Sequence, residues 1–209
     1  MPEKHRGGFS LIELIFALFI VATILGIAIP RIQSGLELQL KTTARRLSSS
    51  IRYAYYEAVA HNRYYRLALD LSAREPSYWL EVSDKPVLIR TSEEEEQFQR
   101  RIQSLSVENR KALLEREPTF HRVEEGLSKG YPLPKGVRFR DVFVSHQPGK
   151  FDGGVSYLYF FPSGATERAV INLEDKDGEI YSLEVAPLSA KVRIRRNYWN
   201  YEDNSTAIP

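Results

Sequence analysis

The chain has 209 residues, of which 43% are hydrophobic and 27% charged, with 29 Lys plus Arg against 27 Asp plus Glu. That length holds one domain with a sizeable core and is too short for a multidomain enzyme, while the composition excludes wholesale disorder. A formal charge of +2 gives no global reason to expect a nucleic-acid partner, and the absence of cysteine excludes a disulfide scaffold, a thiolate metal site and a cysteine nucleophile.

Apolar residues concentrate in Phe9 to Ile29, FSLIELIFALFIVATILGIAI. As a helix this run is about 32 Å long at roughly 1.5 Å per residue, enough for a bilayer core of about 30 Å. Lys4 and Arg6 precede it, so the positive-inside rule keeps the N-terminus cytoplasmic and sends the remainder outward. A secretory signal cut after Ala28 is the competing reading, because Gly26 and Ala28 form a small-x-small site. The run exceeds the ~7–15 residues of such a signal core, however, and it contains Glu13. A carboxylate within an apolar helix is costly and calls for a partner.

Pro30 is expected to kink the helix. Beyond it Leu40, Ala44, Leu47, Ile51, Ala54 and Ala58 recur at helical spacing, and Lys41, Arg45, Arg46 and Arg52 mostly turn away. The pattern predicts one long helix whose second half packs on a sheet. Strand signals follow. Tyr65, Leu67, Leu69 and Leu71 alternate, as do Tyr78, Leu80 and Val82; Val87 to Arg90 is a short third strand.

Between Thr91 and Lys135 the character changes. Glu93 to Glu96 reads as a solvated helix start, and Phe98, Ile102 and Leu105 share a helical face ahead of Leu113 and Leu114. Prolines and glycines punctuate the rest, so 91–135 reads as a charged insertion that contacts a partner.

From Val137 to Ser145 the alternation slips phase, which predicts a bulge. Val155 to Phe161 is almost continuously apolar and reads as a central strand buried on both faces. Three short strands close the chain, Ala169 to Leu173, Ile180 to Val185 and Lys191 to Arg195, with turns at Asp175 to Gly178 and around Pro187. Asp175 to Gly178 resembles the start of a calcium loop, but the twelfth position is Ala186 and the glycine is misplaced, so a hairpin turn explains it.

The segment Gly7-Gly8-Phe9-Ser10-Leu11-Ile12-Glu13, behind a basic leader and before a spanning helix, resembles the processing motif of type IV pilins and type II secretion pseudopilins. The resemblance implies that a prepilin peptidase cuts between Gly8 and Phe9 and that Phe9 becomes the N-methylated first residue. Glu13 then becomes the carboxylate that neutralises a neighbour's new amine during assembly, a pairing strengthened by low dielectric. Leu47 to Val59 followed by Tyr65 to Leu69 is similar to the helix-to-strand passage of H-type minor pseudopilins and FimT-type minor pilins. Phe161 to Ala165, the Asp175 turn and Tyr181 to Ile194 are similar to that family's closing meander. Ala190 departs from it, standing where the family often has glycine.

The implied fold class is α+β and type IV pilin-like, a long N-terminal helix packed on a C-terminal antiparallel β-sheet or β-sandwich domain. The expected organisation is a leader at 1–8, a membrane or filament-core helix at 9–29, an amphipathic second half at 30–62, a periplasmic β-rich domain at 63–196 and a tail at 197–209. The implied role is a minor pseudopilin of the secretion pseudopilus tip, anchored in the bacterial inner membrane by a single pass. Its implied partners are other minor and major pseudopilins, the prepilin peptidase and the inner-membrane assembly platform. No cofactor is implied.

His5, His61, His121 and His146 lack paired metal-ligand spacing, and neither a Gly-x-Ser-x-Gly elbow nor a phosphate-cradling loop is present, so no catalytic residue is expected. Lys191, Arg193 and Arg195 alternate along the last strand, with Arg196, Tyr198, Trp199 and Tyr201 beyond. Cations interleaved with aromatics suit single-stranded nucleic acid, and the resemblance to FimT-type minor pilins implies the alternative role, a minor pilin that binds DNA for uptake. The competing reading is an edge strand blunted by charge.

Overall fold

The computed structural model describes residues 10–72, 74–123, 130–147 and 149–200, and for 25–36 the helical backbone alone. The chain divides into two compact units, 1–38 and 39–209. One helix, α1 (Leu11–His61), runs from the first into the second, and its helical assignment continues through Pro30. It ends where Asn62 takes a left-handed φ of 52° and Arg63 N–H reaches the Ala58 carbonyl at 3.3 Å. Asparagine tolerates that conformation better than most residues, and the bond satisfies a terminal carbonyl.

In the second unit the helical stripe Leu40, Ala44, Leu47, Ile51, Ala54 and Ala58 is wholly buried. Two antiparallel sheets supply the other side of the core. Sheet A is built from β1 (Tyr64–Asp70), β2 (Ser77–Ser83), β3 (His121–Arg122), β4 (Tyr131–Pro132) and β7 (Val155–Phe160). Its order is β3-β2-β1-β7, with β4 also on β2. Sheet B is ordered β10-β9-β8-β5-β6, from β5 (Val137–Val144), β6 (Lys150–Phe151), β8 (Ala169–Asp175), β9 (Ile180–Val185) and β10 (Val192–Arg196). Tyr65, Leu67, Leu69, Tyr78, Leu80 and Val82 point into one apolar cluster with the helix stripe and with Val142, Ile171 and Leu183 of sheet B. Period-two alternation in the strands and the near-four spacing in the helix converge there.

Two strand expectations are corrected. Val155–Phe160 is an edge strand whose one strand partner among the described residues is β1, with a single further bridge from Phe160 to Thr166, and its burial alternates: Ser156, Leu158 and Phe160 point inward, whereas Tyr157 and Tyr159 are half-buried and Val155 is exposed. Tyrosines on the outer face mimic a continuous apolar run because each ring has an apolar body and a polar tip, the Tyr159 hydroxyl accepting from Arg66 at 3.4 Å. The strand buried on both faces is β8. Val87 to Arg90 is extended without a strand partner among the described residues. Pro86 lacks an amide donor, and the segment instead roots the insertion. The expected slip in β5 is present as a register shift between Phe139 and Asp141.

The insertion carries α2 (Ser92–Ser104) and α3 (Val107–Leu114). Thr91 and Glu94 form a reciprocal capping box at the acidic start of α2, and Ile102 is its buried residue. Arg90 holds the insertion at its root. Its guanidinium bonds both Glu117 oxygens at 2.9 and 2.8 Å and lies 3.7 Å from the Phe98 ring centroid. Lys85 Nζ adds bonds to the Glu115 and Glu117 carbonyls. The Asp175 turn is a hairpin: the Asp175 carboxylate accepts from the amides of Asp177 and Glu179 at 2.9 and 3.0 Å, and Gly178 takes φ +83°. Ala190, the departure from glycine, is buried in a left-handed conformation with φ 47°.

Ile51→Ala should lower unfolding free energy by about 2–5 kcal/mol, read by urea denaturation, because a fully buried side chain leaves a cavity. Burial, chiefly, raises the Tyr78 pKa above its ordinary value of 10.0. A raised folded value means that its stabilisation is complete below the unfolded pKa and is lost as pH rises through the folded one. Stability of the natural chain should therefore fall above about pH 10, and Tyr78→Phe should make that decline shallower in thermal melts across pH 8–12.

Candidate functional site

Chemistry-bearing residues gather at the start of α1, along β10, and in the clefts around the insertion. The Ser10 carbonyl accepts the amides of Glu13 and Leu14 at 3.0 and 3.2 Å, which opens the helix with Glu13 in its first turn. A carboxylate there is favoured by the helix dipole. Around it Leu11, Ile12, Leu14, Ile15, Phe16, Leu18, Phe19, Ile20, Val21 and Ile24 are between 46% and 78% exposed. So dense an apolar surface marks an interaction site. Thr23 returns its hydroxyl to the Phe19 carbonyl at 2.7 Å, so even this polar group is satisfied within the helix. Among the described residues Glu13 has no ion-pair partner, and no helix is long and apolar enough to cross a membrane. The expected cleavage residues Gly8 and Phe9 lie outside the described residues, as do the side chains of 25–29 from the expected span.

On β10, Arg193 and Arg195 lie on one face and both reach Glu184 of β9, at 3.4 and 3.1 Å. Arg196 pairs with Glu179 at 3.5 Å, and Lys191 stands just before the strand. The aromatics are engaged too. Residues 197–200 strap the outer face of sheet B: Ser182 Oγ lies 2.6 Å from the Asn197 carbonyl, and Asn172 Nδ2 donates to the Trp199 carbonyl at 3.2 Å and to Asp141 at 2.6 Å. Trp199 lies beneath the Arg195 guanidinium at 4.0 Å, and the Tyr198 hydroxyl accepts from Lys150 Nζ at 3.0 Å. The sequence placed the cations on one face but missed Glu184 and the strap. Glu184 could have been found by pairing β9 with β10 in register; the strap carries no periodic signal.

A cleft of about 450 Å³ lies at the insertion's root, where Arg66, Arg90, Glu117, Phe120, His146 and Tyr159 meet. Arg66 is sandwiched between the rings of Phe120 and Tyr157, at 3.9 and 4.0 Å, and bonds Glu81 at 2.6 Å. His146 Nδ1 meets the Glu167 carboxylate at 2.5 Å. His61 pairs with Glu57 at 3.2 Å, and His121 lies in β3. Among the described residues no cluster of three or more His, Asp or Glu is placed to hold a metal ion.

Residues 4–29 match the prokaryotic N-terminal methylation motif. Among solved structures, the chain is similar to the minor pseudopilin EpsH from the type 2 secretion system of Vibrio cholerae. That likeness has 9% identity and a TM-score of 0.43, over 76% of this chain and 97% of that one. No curated protein matches the chain.

Glu184→Gln should leave Arg193 and Arg195 without their shared carboxylate. Retention on a heparin column should rise, while unfolding free energy changes by no more than about 1 kcal/mol because Arg193, at least, is mostly exposed.

Proposed function

We propose that the chain is a pilin-like structural subunit, processed by a prepilin peptidase between Gly8 and Phe9 and N-methylated at Phe9. One observation carries the reading. The methylation motif at 4–29 coincides with the stretch of α1 that leaves its apolar side chains exposed around a single carboxylate. Such a surface is stable in only two settings, a bilayer and the interior of a filament, and the same helix serves both in turn. Removal of the leader creates an amine at the end of an apolar helix. A neighbouring subunit's Glu13 neutralises it, and in a medium of low dielectric either charge alone is strongly disfavoured. The pairing therefore selects the assembled state.

At finer grain, we assign the chain to the H-type minor pseudopilins of type II secretion. It is held in the inner membrane, with 39–209 on the periplasmic side, and is built with other minor and major pseudopilins on the assembly platform. Its contribution is structural, with energy supplied elsewhere. The second reading, a minor pilin that binds DNA through Lys191, Arg193, Arg195 and Arg196, is favoured by the density of cations on β10. The ion pairs to Glu184 and Glu179 weigh against it, because two carboxylates already offset most of the charge of those three arginines.

Mass spectrometry of the mature chain should give N-methylated Phe9 as its first residue; a chain beginning at Ile29 or Pro30 would refute the processing pathway. Glu13→Ala should reduce incorporation into the filament by about tenfold or more, with the thermal melt unchanged. Normal incorporation of that variant would remove the charge-pairing argument.

A further inference from the structure

A basic cleft lies at one end of sheet A, and the acidic start of α2 follows the chain's exit from the other. At the end formed by the β1–β2 turn a cleft of about 680 Å³ is lined by Arg74, Lys135, Arg138 and Lys176, with Glu75 the one acid. Lys176 N–H bonds the Gly136 carbonyl at 3.0 Å, tying the β8–β9 turn to the loop before β5, and Pro76, Pro132 and Pro134 stiffen the wall. Arg138 shares Glu174 with Arg140. Among the described residues Arg74, Lys135 and Lys176 form no ion pair. Four cations against one acid, three of those cations without an ion pair among the described residues, line a preformed cavity and point to an anionic occupant.

The opposite end supplies one. β2 runs from Ser77, paired with Asp70 beside the cleft, to Ser83, paired with Tyr64, and the insertion leaves just beyond. Seven residues at about 3.3 Å each separate the two ends by roughly 20 Å. There α2 begins with Glu93, Glu94, Glu95 and Glu96, held in place by the capping box and the Arg90–Glu117 clamp. Arg90 and Arg100 offset Glu95 and Glu96 in part, and Glu93 forms no ion pair among the described residues. Both surfaces are preformed, which reduces the ordering cost of bringing them together.

We propose that the basic cleft of one copy receives the acidic first turn of α2 from a second copy, in a head-to-tail contact between unlike surfaces. Such a contact is heterologous. The pair keeps one free cleft on one copy and one free helix start on the other, so the contact can add further copies, in a row or a closed ring, instead of stopping at two. It belongs to 39–209 alone and holds whether or not residues 1–8 are removed.

The natural chain has no cysteine, so introduced thiols are unique. Full-length E75C chains, which keep every cation of the cleft, are mixed in detergent with full-length S92C chains and oxidised. A disulfide-linked mixed dimer is expected, falling about tenfold when salt is raised to ~0.5 M, where surface charges are screened within a few ångströms. Adding Arg74→Glu and Lys135→Glu to the E75C chain should abolish the link. Adding Glu93→Lys and Glu96→Lys to the S92C chain should then restore it, and that rescue also shows both variants to be folded. A yield indifferent to salt and charge reversal, or a reversal without rescue, overturns the proposal. So does absence of the link while anionic vesicles or an oligonucleotide bind the natural chain and not the Arg74→Glu, Lys135→Glu variant; that outcome reassigns the cleft.

Discussion

Everything in unit 39–209 depends on one stripe of six side chains, Leu40, Ala44, Leu47, Ile51, Ala54 and Ala58, all wholly removed from water. The stripe combines three large residues, Leu40, Leu47 and Ile51, with three alanines, and both sheets send inward-facing side chains into the cluster built around it. The stripe thereby fixes the phase of every strand. Leu67, Leu80 and Leu158 of sheet A, and Val142, Ile171 and Leu183 of sheet B, have to face it, so their neighbours in sequence have to face outward. The outer faces are then free to carry charge.

Those outer faces are organised by carboxylates shared between cations. Glu174 takes Arg138 and Arg140, Glu184 takes Arg193 and Arg195, and Glu81 takes Arg66 together with the Trp79 ring N–H. The carboxylates are largely buried while Arg138, Arg140 and Arg193 stay exposed, so solvent screens those three partners. Their effect is on surface potential: each carboxylate offsets part of the positive charge in the middle of its face, and charges without an ion pair among the described residues stand at the cleft beside Arg74 and Lys135 and at Glu93 of α2. A net charge of +2 is thus the sum of patches held apart by the length of a strand.

Features governed by local periodicity were legible before any coordinates. The helical stripe, the alternation in β1 and β2, the slip in β5 and the Asp175 hairpin each depend on residues within a few positions of one another. Features that failed depend on partners far along the chain. Val155 to Phe161 looked central because Tyr157 and Tyr159 score as apolar, and only the absence of a strand partner beyond β1 among the described residues reveals an edge. Val87 to Arg90 has strand-forming residues but no available edge to join, since β3 already pairs with β2 at Glu81 and Val82. Of the candidate residues, the cations of β10 were visible by alternation. Their compensation by Glu184 was not, because it requires the register of β9. Glu13 was conspicuous for a simpler reason, as the one charge in an apolar run.

The strap at 197–200 completes sheet B from beyond its last strand. Asn172 and Ser182 are buried polar groups whose partners include carbonyls supplied by Trp199 and Asn197, the last described stretch of the chain. Without those residues, β8 and β9 present an outer face with polar groups that lack these partners. A copy cut after Arg196 has every strand of sheet B and lacks both closing carbonyls, so Asn172 and Ser182 each lose one hydrogen-bond partner on that face.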